Sequence, residues 1–340
     1  MSITKRFFGQ YESERVEAFT MTNRDGAYVT VLSYGGILNR IVVPDREGIL
    51  GDVICGFDTV EGYVAEAGSY TGALIGRYGN RIGGGGFSLN GVFYPIRNNE
   101  KGVCHLHGGD VGFNRRIWTV KAVEGEGEDS LVLTLFSPDG EEGYPGNLTV
   151  TVTYTFDDAS ALTIHYEAVS DRDTVLNLTN HAYFNLNGYD GGSVMVQELY
   201  LDADRYDAVD EHLLPIGAPT SVDGTPFDFR TMHPIAVPFD HNFVLNGEIG
   251  VYRRVGEAYD PASGRTLTLY TDQPAVQLYT GISMDGETRF KGGVRQRALH
   301  AFCLETQHSP NTPNRPDMPS CVLRAGEHYD TKTTYVFGVR

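Results

Sequence analysis

Several residue types and motifs are scarce in this 340-residue chain, and each scarcity removes a class of function. Basic residues are outnumbered: 27 Lys and Arg against 44 Asp and Glu leave a formal charge of −17. So acidic a surface repels phosphate backbones and argues against a nucleic-acid partner. The four cysteines (Cys55, Cys104, Cys303 and Cys321) are scattered and form no CxxC pair. A zinc knuckle or redox motif is therefore not expected, and reduced thiols are. No apolar run approaches a membrane span, and the opening MSITKRFFGQYESERVEAF has no continuous apolar stretch of signal-peptide length. The resulting expectations are a cytoplasmic location and no membrane partner. Convincing amphipathic helices are scarce too, with only a short one expected near 58–64. There is no GxSxG elbow. The glycine-rich IGRYGNRIGGGGF (75–87) lacks both the Gly-Lys-Ser/Thr of a phosphate loop and the GxGxxG pattern.

Glycine and aromatic residues, in contrast, are plentiful: 41 Gly, 20 Tyr and 17 Phe. Glycine-rich turns between aromatic and β-branched runs mark an all-β protein. In NLTVTVTYTF (147–156), Leu148, Val150, Val152, Tyr154 and Phe156 alternate with threonines, the period of a half-buried antiparallel strand. FSLNGVFYPI (87–96) predicts a hairpin, since Asn90-Gly91 can supply the positive φ angles of a type I′ turn. Further strands are expected at 27–34, 130–136, 161–169, 265–271, 275–281, 299–305 and 333–339. With no linker, repeat or low-complexity run, the strands are expected to build one large antiparallel sandwich over residues 1–340.

Five stretches hold groups capable of chemistry, and each has a plain structural reading beside the functional one. His181 sits between Asn180 and Asn185 in LNLTNHAYFNL (176–186), as a core histidine or as a proton donor. Asn80 and Arg81 offer an amide beside a fork of donors suited to vicinal hydroxyls or a carboxylate; a surface arginine is the alternative. His105 and His107, two apart, would share a strand face and can suit a metal, although further ligands are needed. The Gly108-Gly109 pair after them implies a sharp bend or a close approach. Asp240, in VPFDHNFVL, can hold two hydroxyls or serve an Asx turn. Glu305 stands at the expected end of an apolar strand, at a cleft wall or simply exposed.

Taken together, GRYGNRI, HLHGG, DGEEGYPGNL, NLTNHAYFNL, PFDHNF, VQLYTG and CLETQHSPNTPN occur in an order that resembles the aldose 1-epimerase (galactose mutarotase) family. The resemblance implies a large antiparallel β-sandwich of the galactose mutarotase-like type, with few short helices and an open cleft. It implies interconversion of the α and β anomers of free aldohexoses, with no cofactor and no metal. It implies Glu305 as general base and His181 as general acid. It implies Asn80, Arg81, His107, Asp240 and Gln277 as the sugar's binding partners. A free sugar is then the only small-molecule partner, and the chain is expected to be a monomer or homodimer.

The chemistry asks for little else. The C1 hydroxyl loses a proton while the ring oxygen O5 gains one, the ring opens, the C1–C2 bond turns, and the ring closes on the other face. Glutamate is ionised at neutral pH, and the nearby carboxylates Glu305 and Asp240 are expected to raise the pKa of His181 and hold its acid form. A hexose-6-phosphate 1-epimerase is the alternative, but would favour extra basic residues at the cleft. A sugar-binding protein without catalysis on the same fold, and a glycosidase using Asp240 and Glu305, are further readings.

Overall fold

The computed structural model describes residues 2–284 and 288–340. Within them three larger antiparallel sheets dominate. The first runs in sequence order through Ser2–Tyr11, Glu14–Thr22, Tyr28–Leu32, Leu38–Pro44 and Leu50–Asp52. The second has nine strands and is centred on Glu128–Ser137, Leu148–Asp157, Ala161–Ser170 and His328–Val339. The third carries the chemistry: Asp240–Val244 pairs with Ala275–Tyr279, which pairs with Cys303–Gln307. The expected all-β sandwich is the observed architecture.

The strand Leu148–Asp157 shows why. Its five apolar side chains are all buried. They stand opposite Leu131, Leu133 and Leu135 on one neighbour, and opposite Ile164 and Leu162 on the other. Each such side chain contributes about 1.5–3 kcal/mol of burial. This face belongs to one continuous core with Phe19 and Val29 of the first sheet and Phe243, Val276 and Leu304 of the third. The hairpin forms as expected, with Phe87 opposite Tyr94 and φ angles of 52° and 77° at Asn90 and Gly91. The short helix is Val60–Ala65, capped by Thr59, whose hydroxyl accepts from the Gly62 amide at 3.2 Å. No described helix is long and apolar enough to cross a membrane.

One boundary differs in a way that matters. The strand expected at 299–305 instead spans Cys303–Gln307. Leu299 has φ 65°, and Phe302 makes only an isolated bridge to Phe184. Glu305 is therefore not at a strand end but in its middle, opposite Gln277.

Candidate active site

The third sheet and the loops crossing it line a half-open cavity of about 390 Å³, at the lower end of the usual range for small-molecule sites. Asn80, Arg81, His107, His181, Asp240 and Glu305 all line it. Residues widely separated in the chain thus meet at one place, and each is held there by backbone bonds.

His181 follows a two-residue strand, Thr179–Asn180. Its amide donates to the Ala73 carbonyl and its carbonyl accepts from the Gly72 amide, both at 2.9 Å. The flanking asparagines are structural. Asn180 Nδ2 donates to the Gly72 carbonyl at 3.0 Å, and Asn185 Nδ2 to the His300 carbonyl at 2.8 Å. Asn177 ties two walls together: its Nδ2 donates to the Gly79 carbonyl at 3.0 Å, while its Oδ1 accepts from the His308 amide at 2.9 Å.

Asn80 and His107 lock each other. Both have left-handed φ angles, 67° and 51°. The His107 amide donates to the Asn80 carbonyl at 3.2 Å, and the Asn80 amide donates to His107 Nδ1 at 3.1 Å. The second bond fixes the tautomer. A neutral His107 ring must carry its proton on Nε2 and act as a donor. Gly108 makes this turn possible, since a Cβ there would sit 1.9 Å from the Gly76 carbonyl oxygen. The expected sharing of a strand face by His105 and His107 is not realised. The strand stops at Leu106, and His107 turns away from strand geometry. His105 is instead buried against Tyr144, its Nδ1 bonded to the Arg97 carbonyl at 2.8 Å.

Arg81 lies flat against Glu100, with Nε at 2.7 Å from Oε2 and Nη2 at 2.9 Å from Oε1. Its Nη2 is also 3.7 Å from Asp240 Oδ2. Asn80 Oδ1 accepts from the Arg81 amide at 2.9 Å, which fixes the orientation of a side chain that lines the cavity. Gln277 is not in the cavity lining; it stands behind Asp240 and donates from Nε2 to Oδ1 at 2.6 Å. Glu100 was not legible in sequence, because a glutamate in the polar loop RNNEKG carries no distinguishing pattern. Tyr70, Tyr183 and Tyr279 also line the cavity and surround the His181 ring.

His181 Nε2 lies 3.6 Å from Glu305 Oε1, and both side chains are nearly buried. Burial lowers the His181 pKa to about 4, overturning the expectation that carboxylates would raise it. Burial, then the charge of Asp240, pushes Glu305 well above the usual carboxylate range. His107 is pushed well down by burial and stays neutral.

His107, His181 and Glu305 bring possible ligand atoms within 4.8 Å of one another, so the trio invites a test as a metal centre. It fits poorly. The only proton-free nitrogen of neutral His107 is already committed to the Asn80 amide. Its remaining nitrogen points a donor, not a lone pair, at the site. Such a donor suits an oxygen of a hydroxylated ligand.

Residues 17–336 match the family model for aldose 1-epimerases. A galactose mutarotase from Bos taurus is 40% identical, covering 100% of this chain and 99% of the relative. The Homo sapiens galactose mutarotase is 41% identical over 99% of each. A crystal structure of an aldose epimerase homologue from C. elegans superposes with a TM-score of 0.86 at 30% identity, covering 94% of this chain and 98% of that one.

Proposed function

The chain belongs to the aldose 1-epimerase family, and from that premise we propose how its cavity turns one anomer of a free aldohexose into the other. Glu305 is the general base at the C1 hydroxyl, and His181 is the general acid at O5. The observation that carries this assignment is the 3.6 Å approach of the two side chains in the cavity. O1 and O5 are bonded to the same carbon, so two groups this close can address both at once. Glu305 takes the O1 proton, His181 gives one to O5, and the C1–O5 bond opens to the aldehyde. After rotation about C1–C2 the roles reverse, with Glu305 returning its proton to O1 and His181 taking the one on O5. General acid–base assistance of this kind is worth about 10²–10⁴-fold.

Arg81, Asn80, His107 and Asp240 hold the remaining oxygens, so that the open chain rotates in place. Gln277 acts through Asp240, which it fixes from behind. Lining residues run from Gly68 to Glu305, which supports reading residues 1–340 as one domain. Three carboxylates, Glu100, Asp240 and Glu305, face Arg81 and Lys101 in the lining. Arg81 is already engaged by Glu100, a balance that favours a neutral sugar over a sugar phosphate. The relatives are galactose mutarotases, so galactose is the first sugar to try.

The test is polarimetry. Catalytic amounts of protein should accelerate the optical-rotation change of freshly dissolved α-D-galactose and α-D-glucose. No acceleration with any common aldose would sink the proposal. Tight galactose binding by calorimetry with no rate effect would point to a sugar-binding protein instead.

A further inference from the structure

The strand Cys303–Gln307 places Cys303 and Glu305 two residues apart, on one face. The two side chains reach opposite nitrogens of the same ring. Glu305 approaches Nε2 of His181, while Cys303 Sγ lies 3.5 Å from Nδ1. The thiol is fully buried in a cluster with Cys55 and Tyr183. Burial and the Glu305 charge push its pKa well up, so it stays an S–H group.

The partner of Nδ1 sets how strong an acid the ring is. A carboxylate there, as in a Ser-His-Asp triad, stabilises the imidazolium and makes it reluctant to release a proton. A thiol is a weak donor and a weak acceptor. Because the proton moves at Nε2, Nδ1 stays protonated through the cycle, and the thiol sulfur can accept from it, orienting the ring while lending the charge little support. The backbone carbonyl of His181 also accepts near the ring and raises its pKa, by less than burial lowers it. Ether oxygens such as O5 are weakly basic, so a strong acid is useful there.

We propose that Cys303 is a positioning residue for His181, holding the ring through Nδ1 while keeping its protonated form strongly acidic. The inference rests on the reading of His181 as the acid at O5. The other groups facing the ring are His107, with centroids 5.2 Å apart, and Tyr70, Tyr183 and Tyr279 at 6.0, 4.9 and 6.1 Å. The charge of Arg81 acts on it from further off.

The experiment compares the pH profiles of kcat and KM for wild type, Cys303→Ala, Cys303→Ser and Cys303→Asp. The alanine variant should lose about tenfold in kcat with KM within about twofold, and serine should recover most of the loss. Aspartate should move the His181 limb of the kcat profile up by about one pH unit or more. In parallel, ¹⁵N NMR of labelled histidines in the unliganded protein reads the contact without catalysis. The Nδ1 shift and titration of His181 should change in Cys303→Ala, which keeps the test decisive if the aspartate variant does not fold. A folded Cys303→Ala protein with wild-type kcat profile and an unaltered His181 signal would overturn the proposal. Full activity in His181→Ala would instead remove the acid assignment, while the NMR would still report on the Cys303 contact.

Discussion

Nε2 of His181 and Oε1 of Glu305 lie 3.6 Å apart, yet burial shifts both side chains toward their neutral forms. By geometry the contact qualifies as an ion pair; burial instead favours the neutral imidazole on one side and raises the carboxyl's pKa on the other. The burial argument decides here, because so little water reaches either group to support a charge. Neutral forms of both groups would still be compatible with the proposed roles. A neutral histidine beside a protonated glutamate carries as many protons as an imidazolium beside a carboxylate. On the proposed assignment, one transfer from a protonated Glu305 to His181 would give the charge state from which ring opening starts.

If both groups take part in proton transfer, Glu305→Gln and His181→Ala should each lower kcat by more than tenfold with the fold retained. Polarimetry with circular dichroism checks this. A variant with wild-type kcat would lose its assigned role.

The same burial makes stability depend on pH. His181 has a folded pKa of about 4 against an unfolded value near 6.5, so the unfolded chain binds more protons between them. Stability should therefore fall as pH drops from 6.5 toward 4, by up to about 3 kcal/mol from this group. Urea unfolding of His181→Gln should show a shallower decline.

Glu305 has the opposite sign. Its folded pKa is raised, so its favourable contribution exists at low pH and is lost as pH rises through the folded value. Glu305→Gln should be at least as stable as wild type at pH 8 while being inactive. Thermal unfolding of the two proteins side by side measures it, and a clearly lower Tm for the variant would contradict the assignment.

Arg81 binds Glu100 through two parallel bonds, a geometry lysine cannot reproduce. Arg81→Lys should raise KM about tenfold with a smaller change in kcat. An unchanged KM would show that the guanidinium does not hold the sugar.

Gly108 has φ 87° and leaves no room for a Cβ beside the Gly76 carbonyl. Gly108→Ala should destabilise by about 2 kcal/mol or more and displace His107. Chemical denaturation checks the first effect, and an increase in KM the second.

Much of the fold was legible because alternation has a direct physical meaning. Leu148 to Phe156 alternate with threonines, as a strand with one buried and one more exposed face requires. Asn90-Gly91 announced its hairpin through the φ angles that a type I′ turn needs. The strand carrying Glu305 was misplaced by a few residues, because an apolar run does not mark where pairing starts. Leu299 and the turn before Cys303 depend on contacts with Phe184 and Gly281, far away in the chain.

The sequence alone determined the residue types available for the reaction, their order along the chain, and the strands that carry Gln277 and, within a few residues, Glu305. Tertiary structure decided which of them meet and in what state. It turned His105 away and His107 inward, set Glu100 against Arg81, and stood Gln277 behind Asp240. It also reversed the expected charge of His181. A pKa depends on how much water remains around a group, and that quantity exists only once the sheets and loops have closed over it.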